Sequence, residues 1–268
     1  MADGANDRAA ELASGYSKGH RYYELGGIGV AAFTFAWLVK RLASSPAISG
    51  WWVPLALFIG ILAADFVSGF VHWGFDSWGS LDTPVVGKLA IRTFREHHVD
   101  AKAITRHDFV ETNGHNLGLS SVCSTAGVWV LGAEGASFKS TFAGMCLCAM
   151  AIFVGMTSQI HKWSHQARPS APVRFLQRLH LILTPEHHDV HHTAPYDKNY
   201  CITVGWMNGP LRTIRFFPTL ERMITAVTGA IPRVDDIGEK EARAVAEAAA
   251  AKAAAEASAP KSVGKLVP

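Results

Sequence analysis

The sequence predicts an all-α, polytopic membrane protein of about four transmembrane helices beneath a histidine-rich helical cap, and three observations carry this expectation. Of the 268 residues, 49% are hydrophobic and only 18% charged, with a mean hydropathy of +0.14. That balance excludes a disordered, collagen-like or disulfide-scaffold chain. The apolar residues gather in stretches long enough to span a bilayer. Thirteen histidines accompany four cysteines, and all but His20 lie between residues 72 and 192. The net charge of +3 comes without Arg/Lys runs, so no nucleic-acid partner is expected.

The elements follow in order. Residues 1–21 are polar and form a cytoplasmic N-terminal segment with no cleavable signal, so the chain is expected to be integral rather than secreted. The first span runs from Tyr22 to Val39 and stops at Lys40-Arg41. The second runs from Trp51 to Val71; Trp51-Trp52 suits an interfacial aromatic belt, and His72 closes the span. The third, Leu117 to Ala133, is diluted by Ser120, Ser121, Ser124 and Thr125. The fourth, Thr141 to Ile160, ends at His161, and the short connection from Glu134 to Ser140 makes spans three and four a hairpin.

With both termini inside, 22 of the Lys/Arg residues fall on the inner side against three outside, the bias of a cytoplasmic face. Cys123, Cys146 and Cys148 lie within spans and Cys201 on the inner side, so no structural disulfide is expected. The membrane domain occupies residues 22–238, and the Ala/Lys/Glu-rich tail of residues 239–268 is helix-prone but coreless and is expected to be largely disordered.

This topology puts twelve histidines at cytoplasmic span ends or in cytoplasmic segments, where they can converge. His72 and Asp76 are four apart and share a helix face, as do His161 and His165. The run HHDVHH interleaves two such pairs, His187 with His191 and His188 with His192, and adjacent His97-His98 complete nine histidines and one carboxylate. Four histidines within six positions would repel one another on protonation and offer no packing advantage, so metal ligation is the reading they favour. Neutral imidazole suits Zn, Fe, Cu or Ni. One zinc takes four ligands, so nine histidines point to two metal ions. The scarcity of carboxylates excludes the Glu-x-x-His di-iron bundle, and HHDVH lacks the glutamate of a zinc protease. Single His20, His107, His115 and His180 are expected to be structural. Asp65 lies seven residues before His72 on nearly the same face, and an intramembrane aspartate is expected to orient an imidazole.

Four segments, ADFVSGFVHWGFDSWGS, FREHHVDAKAITRHDFVETNGHN, QIHKWSHQ and LTPEHHDVHHTAPYDKNYCITVGWMN, together resemble the lipid desaturase family, which takes in the plasmanylethanolamine desaturases, bacterial carotenoid light-response homologues and a plant palmitate desaturase. The similarity runs from Ala64 to Asn208. The chain departs from the family pattern at His115, where an acidic residue is expected, and at Pro185-Glu186, where a basic stretch is expected.

The resemblance implies a membrane oxidoreductase with two non-haem iron ions that uses O2. The metal ligands it implies are His72, His97, His98, His161, His165, His187, His188, His191 and His192, with Asp76 beside them; Asp76, and Asp65 from its place on the helix face, are the candidate catalytic carboxylates. It implies a membrane phospholipid substrate and formation of the vinyl ether bond of a plasmalogen from a 1-O-alkyl ethanolamine phospholipid. Arg168, Arg174 and Arg178 are candidates to hold the phosphate. No flavin, haem or iron–sulfur motif is present, so electrons would come from an external cytochrome b5-like or ferredoxin-like carrier. The setting implied is a bacterial inner membrane or the endoplasmic reticulum. Desaturation of a phospholipid acyl chain is the rival reaction. Metal binding or transport without catalysis is the rival class, and it would place ligands near the midplane of the spans rather than at their ends.

Overall fold

The structure is a computed structural model that describes residues 2–132 and 136–258, and every regular element among them is helical. Helix α1 (Ala2–Ser14) is followed by α2 (Lys18–Ala43) and α3 (Val53–Ser77). A π-helical turn, Gly87–Ile91, leads into α4 (Arg92–Val99), and α5 (Ala103–Arg106) precedes α6 (Phe109–Leu131) and α7 (Phe138–Ser164). The remaining helices are α8 (Ala171–Arg178), α9 (Pro185–Asp189), α10 (Asn208–Thr213), α11 (Phe216–Thr228), α12 (Val234–Ile237) and α13 (Glu239–Ser258).

Helices α2, α3 and α7 are long and apolar enough to cross a membrane. The third expected stretch lies in α6, which is too polar to join them by composition. Its serines are satisfied locally: Ser120 Oγ donates to the Leu117 carbonyl at 2.7 Å, Ser121 Oγ to Gly118 at 2.6 Å and Ser124 Oγ to Ser120 at 3.2 Å. Bonding back onto the helix lets polar side chains lie within a bundle without outside partners. The expected hairpin connection includes residues 133–135, which lie outside the described residues.

Helix starts follow the local chemistry. Ser17 caps α2 in a capping box with His20, the Asp108 carboxylate accepts from Val110 and Glu111 N–H at the start of α6, and Ser137 caps α7. Pro185-Glu186, where a basic stretch was expected, opens α9: Thr184 is its N-cap, proline suits the first turn and the acid suits the positive helix end.

Helix α2 packs on α6, α6 on α7 and α7 on α3. A Cβ on Gly27 would meet Gly118, and Leu38 reaches Gly127, so α2 and α6 run parallel. Gly60 meets Cys146 while the His72 and His161 rings lie 6.1 Å apart, so α3 and α7 are also parallel. Leu131 meets Gly144 and Leu117 meets Gly155, which makes the two pairs antiparallel. The first turns of α2 and α6 and the last turns of α3 and α7 therefore share one end.

Over that end lie the short helices. Helix α1 packs on α4. Trp73, Tyr200, Leu211 and Phe217 bury together and join α3 to α11. Arg233 locks this corner, donating to both Glu221 carboxylate oxygens at 2.7 and 2.9 Å and to the Tyr200 hydroxyl at 3.1 Å. The tail expected to be largely disordered is helical over Glu239–Ser258, as its alanine content favours, and buries Ala242; residues 259–268 lie outside the described residues.

The α3–α7 contact depends on one absent side chain. A Cβ on Gly60 would fall 2.3 Å from the Cys146 carbonyl oxygen and 2.7 Å from Ala149 Cβ, whereas one on Gly74 of the same helix meets nothing within 4 Å. Gly60→Ala should therefore lower stability by about 1–3 kcal/mol, read as a fall in the unfolding midpoint in detergent. Gly74→Ala should not lower it.

Candidate metal centre and substrate cavity

One face of α3 carries Asp65, Ser68, His72 and Asp76, spaced by three and four residues, and each meets the segment 191–207 that runs beside the helix. A Cβ on Gly69 would fall 2.3 Å from Cys201 Sγ, so glycine lets the segment approach this closely. His72 Nδ1 donates to the Tyr200 carbonyl at 3.0 Å, His191 Nδ1 to the Lys198 carbonyl at 2.9 Å, and His98 Nδ1 to the Asp236 carboxylate. In a neutral ring this leaves Nε2 as a lone pair.

Those three Nε2 atoms meet one another and Asp76. His72 Nε2 lies 3.2 Å and His191 Nε2 3.5 Å from Asp76 Oδ2, His98 Nε2 lies 3.7 Å from Oδ1, and His98 and His191 are 3.2 Å apart. Asp76 is fully buried and neither of its oxygens has a hydrogen-bond donor among the described residues. Four acceptors turned on one another need positive charge between them. Burial lowers the pKa of His98, but Asp76 and Asp236 more than offset it and raise the value, which expresses the same demand.

A second cluster lies alongside: His97, His161, His165, His188 and His192. Their Nε2 atoms stand 2.7 Å (His161–His188), 3.0 Å (His97–His192 and His188–His192) and 3.2 Å (His161–His165) apart. Burial, then mutual repulsion, holds His97 and His188 well below the usual imidazole range; burial takes His165 down to about 4, and burial with its histidine neighbours takes His192 to about 3. Neutral rings converging on one point form a soft-to-intermediate nitrogen cage of the kind divalent first-row metals take. In each cluster the ligand atoms lie within 4.8 Å of one another, so each could hold one ion.

A cavity of about 340 Å³ opens against the centre. His72, His97 and His161 form one wall. Val67, Leu119, Val154 and Ile202 supply apolar lining, and Tyr16, Glu24, Arg92, Glu111 and His115 supply charged and polar lining.

The family model for the lipid desaturase domain matches residues 61–235. The chain belongs to the lipid desaturase family. It is 53% identical over 242 residues to a plasmanylethanolamine desaturase of Myxococcus xanthus, covering 90% of this chain and 85% of that one. It is 41% identical to plasmanylethanolamine desaturase 1 of Mus musculus, covering 85% and 86%, and 32% identical to the chloroplastic fatty acid desaturase 4 of Arabidopsis thaliana, covering 72% and 56%. No solved structure matches it significantly. As a lipid desaturase with three membrane-length apolar helices, it is a membrane-bound oxidoreductase.

In this lipid desaturase eight of the nine singled-out histidines, with Asp76, enter the two clusters. His187 does not: its Nε2 faces Asn208 Nδ2 at 2.9 Å, because α9 turns this ring away from His188 towards Gly205. Asp65, expected to orient an imidazole, touches none. Its Oδ1 accepts from Val204 and Gly205 N–H and its Oδ2 from Met207 N–H, all at 2.9 Å, so it fixes the segment whose Tyr200 carbonyl orients His72. Arg168, Arg174 and Arg178 are exposed and none lines the cavity; Arg174 donates to the Pro169 carbonyl at 2.8 Å. Of the four histidines read as structural, His20, His107 and His115 line the cavity and His180 is exposed.

Sequence reasoning missed Asp236, the Tyr200 and Lys198 carbonyls, Glu24 and Arg92. Backbone acceptors leave no trace in a sequence, and Asp236 lies 138 residues from its partner. Asp65→Ala would leave two buried N–H groups and one half-buried N–H group without acceptors, a loss of about 3 kcal/mol. It should lower the unfolding midpoint well beyond the effect of an exposed substitution such as Arg178→Ala.

Proposed function

We propose that the chain is an oxygen-dependent di-iron lipid desaturase that forms the vinyl ether double bond of plasmalogens from a 1-O-alkyl ethanolamine phospholipid. One iron would sit among His97, His161, His165, His188 and His192, the other among His72, Asp76, His98 and His191. Bound iron supplies the means to activate O2 with two electrons and two protons. The overall reaction takes one hydrogen from each of the first two carbons of the alkyl chain and returns two molecules of water.

The observation that carries this reading is the order of groups along the cavity. The bundle ends that bear His72, His161 and His115 coincide, and Val67, Val154 and Leu119 lie four to seven residues further into the same helices, which is about 6–10 Å deeper. A lipid tail entering between Val67, Leu119 and Val154 would leave its headgroup at the charged end and its first carbons beside the histidine wall. The carbons next to an ether oxygen are the ones such a cavity presents; a mid-chain carbon would lie past the wall.

The residues of the chain hold this arrangement. The Tyr200 and Lys198 carbonyls and Asp236 fix the tautomers of His72, His191 and His98. Apolar lining excludes water from the reacting carbons. The 22 to three charge bias supports both termini and the histidine end on the cytoplasmic side of a multi-pass protein, with α6 as a fourth span. Electrons would come from a separate cytochrome b5-like or ferredoxin-like carrier.

Two measurements test this. Iron-loaded protein should hold about two ions per chain, one for each cluster; His161→Ala and His191→Ala should each lower that content and cut turnover by more than about 100-fold, while His180→Ala keeps both. Membranes supplied with plasmanyl ethanolamine lipid, O2 and a reductant system should yield a fatty aldehyde on acid treatment, which cleaves vinyl ethers. A new acyl-chain double bond without aldehyde would favour acyl-chain desaturation, and neither product from iron-loaded protein would overturn desaturation.

A further inference from the structure

The charged end of the cavity holds groups that the reaction leaves unexplained. Glu24 stands in the second turn of α2, a helix apolar enough to cross a membrane, and is 1% exposed. A carboxylate in such a position is costly and marks function. The Tyr16 hydroxyl donates to one of its oxygens, and His115 Nδ1 lies 3.0 Å from the other.

Arg92, at the start of α4, is 6% exposed and lines the same cavity. Its Nη1 donates to the Leu12 carbonyl at 2.8 Å and to Glu96 at 2.9 Å, while its Nε–H is buried with no hydrogen-bond partner among the described residues. Thr112, also 6% exposed and lining the cavity, has a hydroxyl in the same condition. These orphan groups are the kind a ligand satisfies.

The two opposite charges flank one joint. A Cβ on Gly15 would fall 2.5 Å from Arg92 Cδ, and the next residue, Tyr16, bonds Glu24. The cavity is thus lined at one end by residues that bear a buried carboxylate and, without hydrogen-bond partners among the described residues, a guanidinium N–H and a hydroxyl, a set complementary to a zwitterion.

We propose that Glu24 and Arg92 form a headgroup subsite, in which Glu24 takes the primary ammonium and Arg92 Nε–H a phosphate oxygen of an ethanolamine phospholipid, and that Glu24 selects this headgroup over choline. The inference rests on the reading of the cavity as the substrate chamber. A primary ammonium brings three N–H donors to a carboxylate, and a trimethylammonium brings none. A site built to hydrogen-bond a donor rejects the analogue that lacks it, because its buried acceptor is left unpaired.

The test measures binding without turnover. Full-length protein in detergent is equilibrated with 1-O-alkyl lipids that differ only in carrying ethanolamine or choline, and the bound lipids are counted by native mass spectrometry. The wild-type chain should prefer ethanolamine by about tenfold or more. Glu24→Gln keeps the shape and both neighbours and should bring the ratio to within about twofold of unity by weakening the ethanolamine lipid. Arg92→Lys, which lacks the Nε–H, should weaken both lipids and leave the ratio in place. No preference in the wild-type chain, or an unchanged ratio in Glu24→Gln, overturns the proposal. Should Glu24→Gln lose its helical signal, Glu24→Asp should lower the ratio partway, and an unchanged ratio there overturns it equally. If no aldehyde forms while the ratio behaves as stated, the reaction falls and the subsite stands; if aldehyde forms and the ratio does not respond, the subsite alone falls.

Discussion

Gathering eight buried or half-buried imidazoles and a buried carboxylate against one another is the constraint on which the rest of this structure depends. Charged rings at these separations would repel strongly in a medium that screens them poorly. Burial resolves this at His97, His165, His188, His191 and His192 by holding the rings neutral, while at His98 the Asp76 and Asp236 carboxylates favour positive charge; a neutral ring offers Nε2 as a lone pair where the opposite nitrogen is held by an acceptor. The supports are correspondingly ordinary groups: two backbone carbonyls and Asp236. Much of the cap exists to bring them in. Arg233 and Glu221 anchor the turn before Asp236, and Asp65 anchors the segment beyond Tyr200, so a carboxylate with no contact to any ring still governs how one ring points.

The helix directions serve the same end. Parallel pairs α2/α6 and α3/α7, set antiparallel to each other, gather four helix ends at one level. Two of those ends deliver histidines and the other two deliver the first two turns of α2 and α6, with Glu24 and His115 in the second turn of each. Close approach between α3 and its neighbours relies on Gly60 and Gly69, where any side chain would separate the backbones. The polar composition of α6 fits its place between α2 and α7, since its serines bond within their own helix.

Much of this was legible in the sequence, for identifiable reasons. His72 with Asp76 and His161 with His165 lie on continuous helices, so the four-residue spacing predicted their shared faces correctly. Within HHDVHH the same rule succeeded for His188 and His192, whose Nε2 atoms lie 3.0 Å apart, but failed for His187 and His191, because His187 faces Asn208 while His191 faces Asp76. Asp65 was the right residue with the wrong partner: periodicity gave its face, and the three amides that claim it come from a segment about 140 residues away. Arg168, Arg174 and Arg178 misled because positive charge near a membrane is common, and nothing in their spacing told an outward side chain from an inward one. Glu24 and Arg92 escaped notice as single charges whose meaning lies in a joint between helices.

Adjacent residues are divided between the two clusters: His97 and His192 enter one, His98 and His191 the other. On each strip of backbone, then, neighbouring peptide units serve both. An ion that fixes the ring of His97 also fixes the chain that carries His98, and the same holds for His192 and His191. Under the proposed two-ion loading, filling one site would remove part of the conformational freedom that the other would otherwise have to lose, a contribution that favours joint occupancy against the repulsion between the two cations. The shared backbone would then favour a centre that assembles as a unit over one that fills by halves.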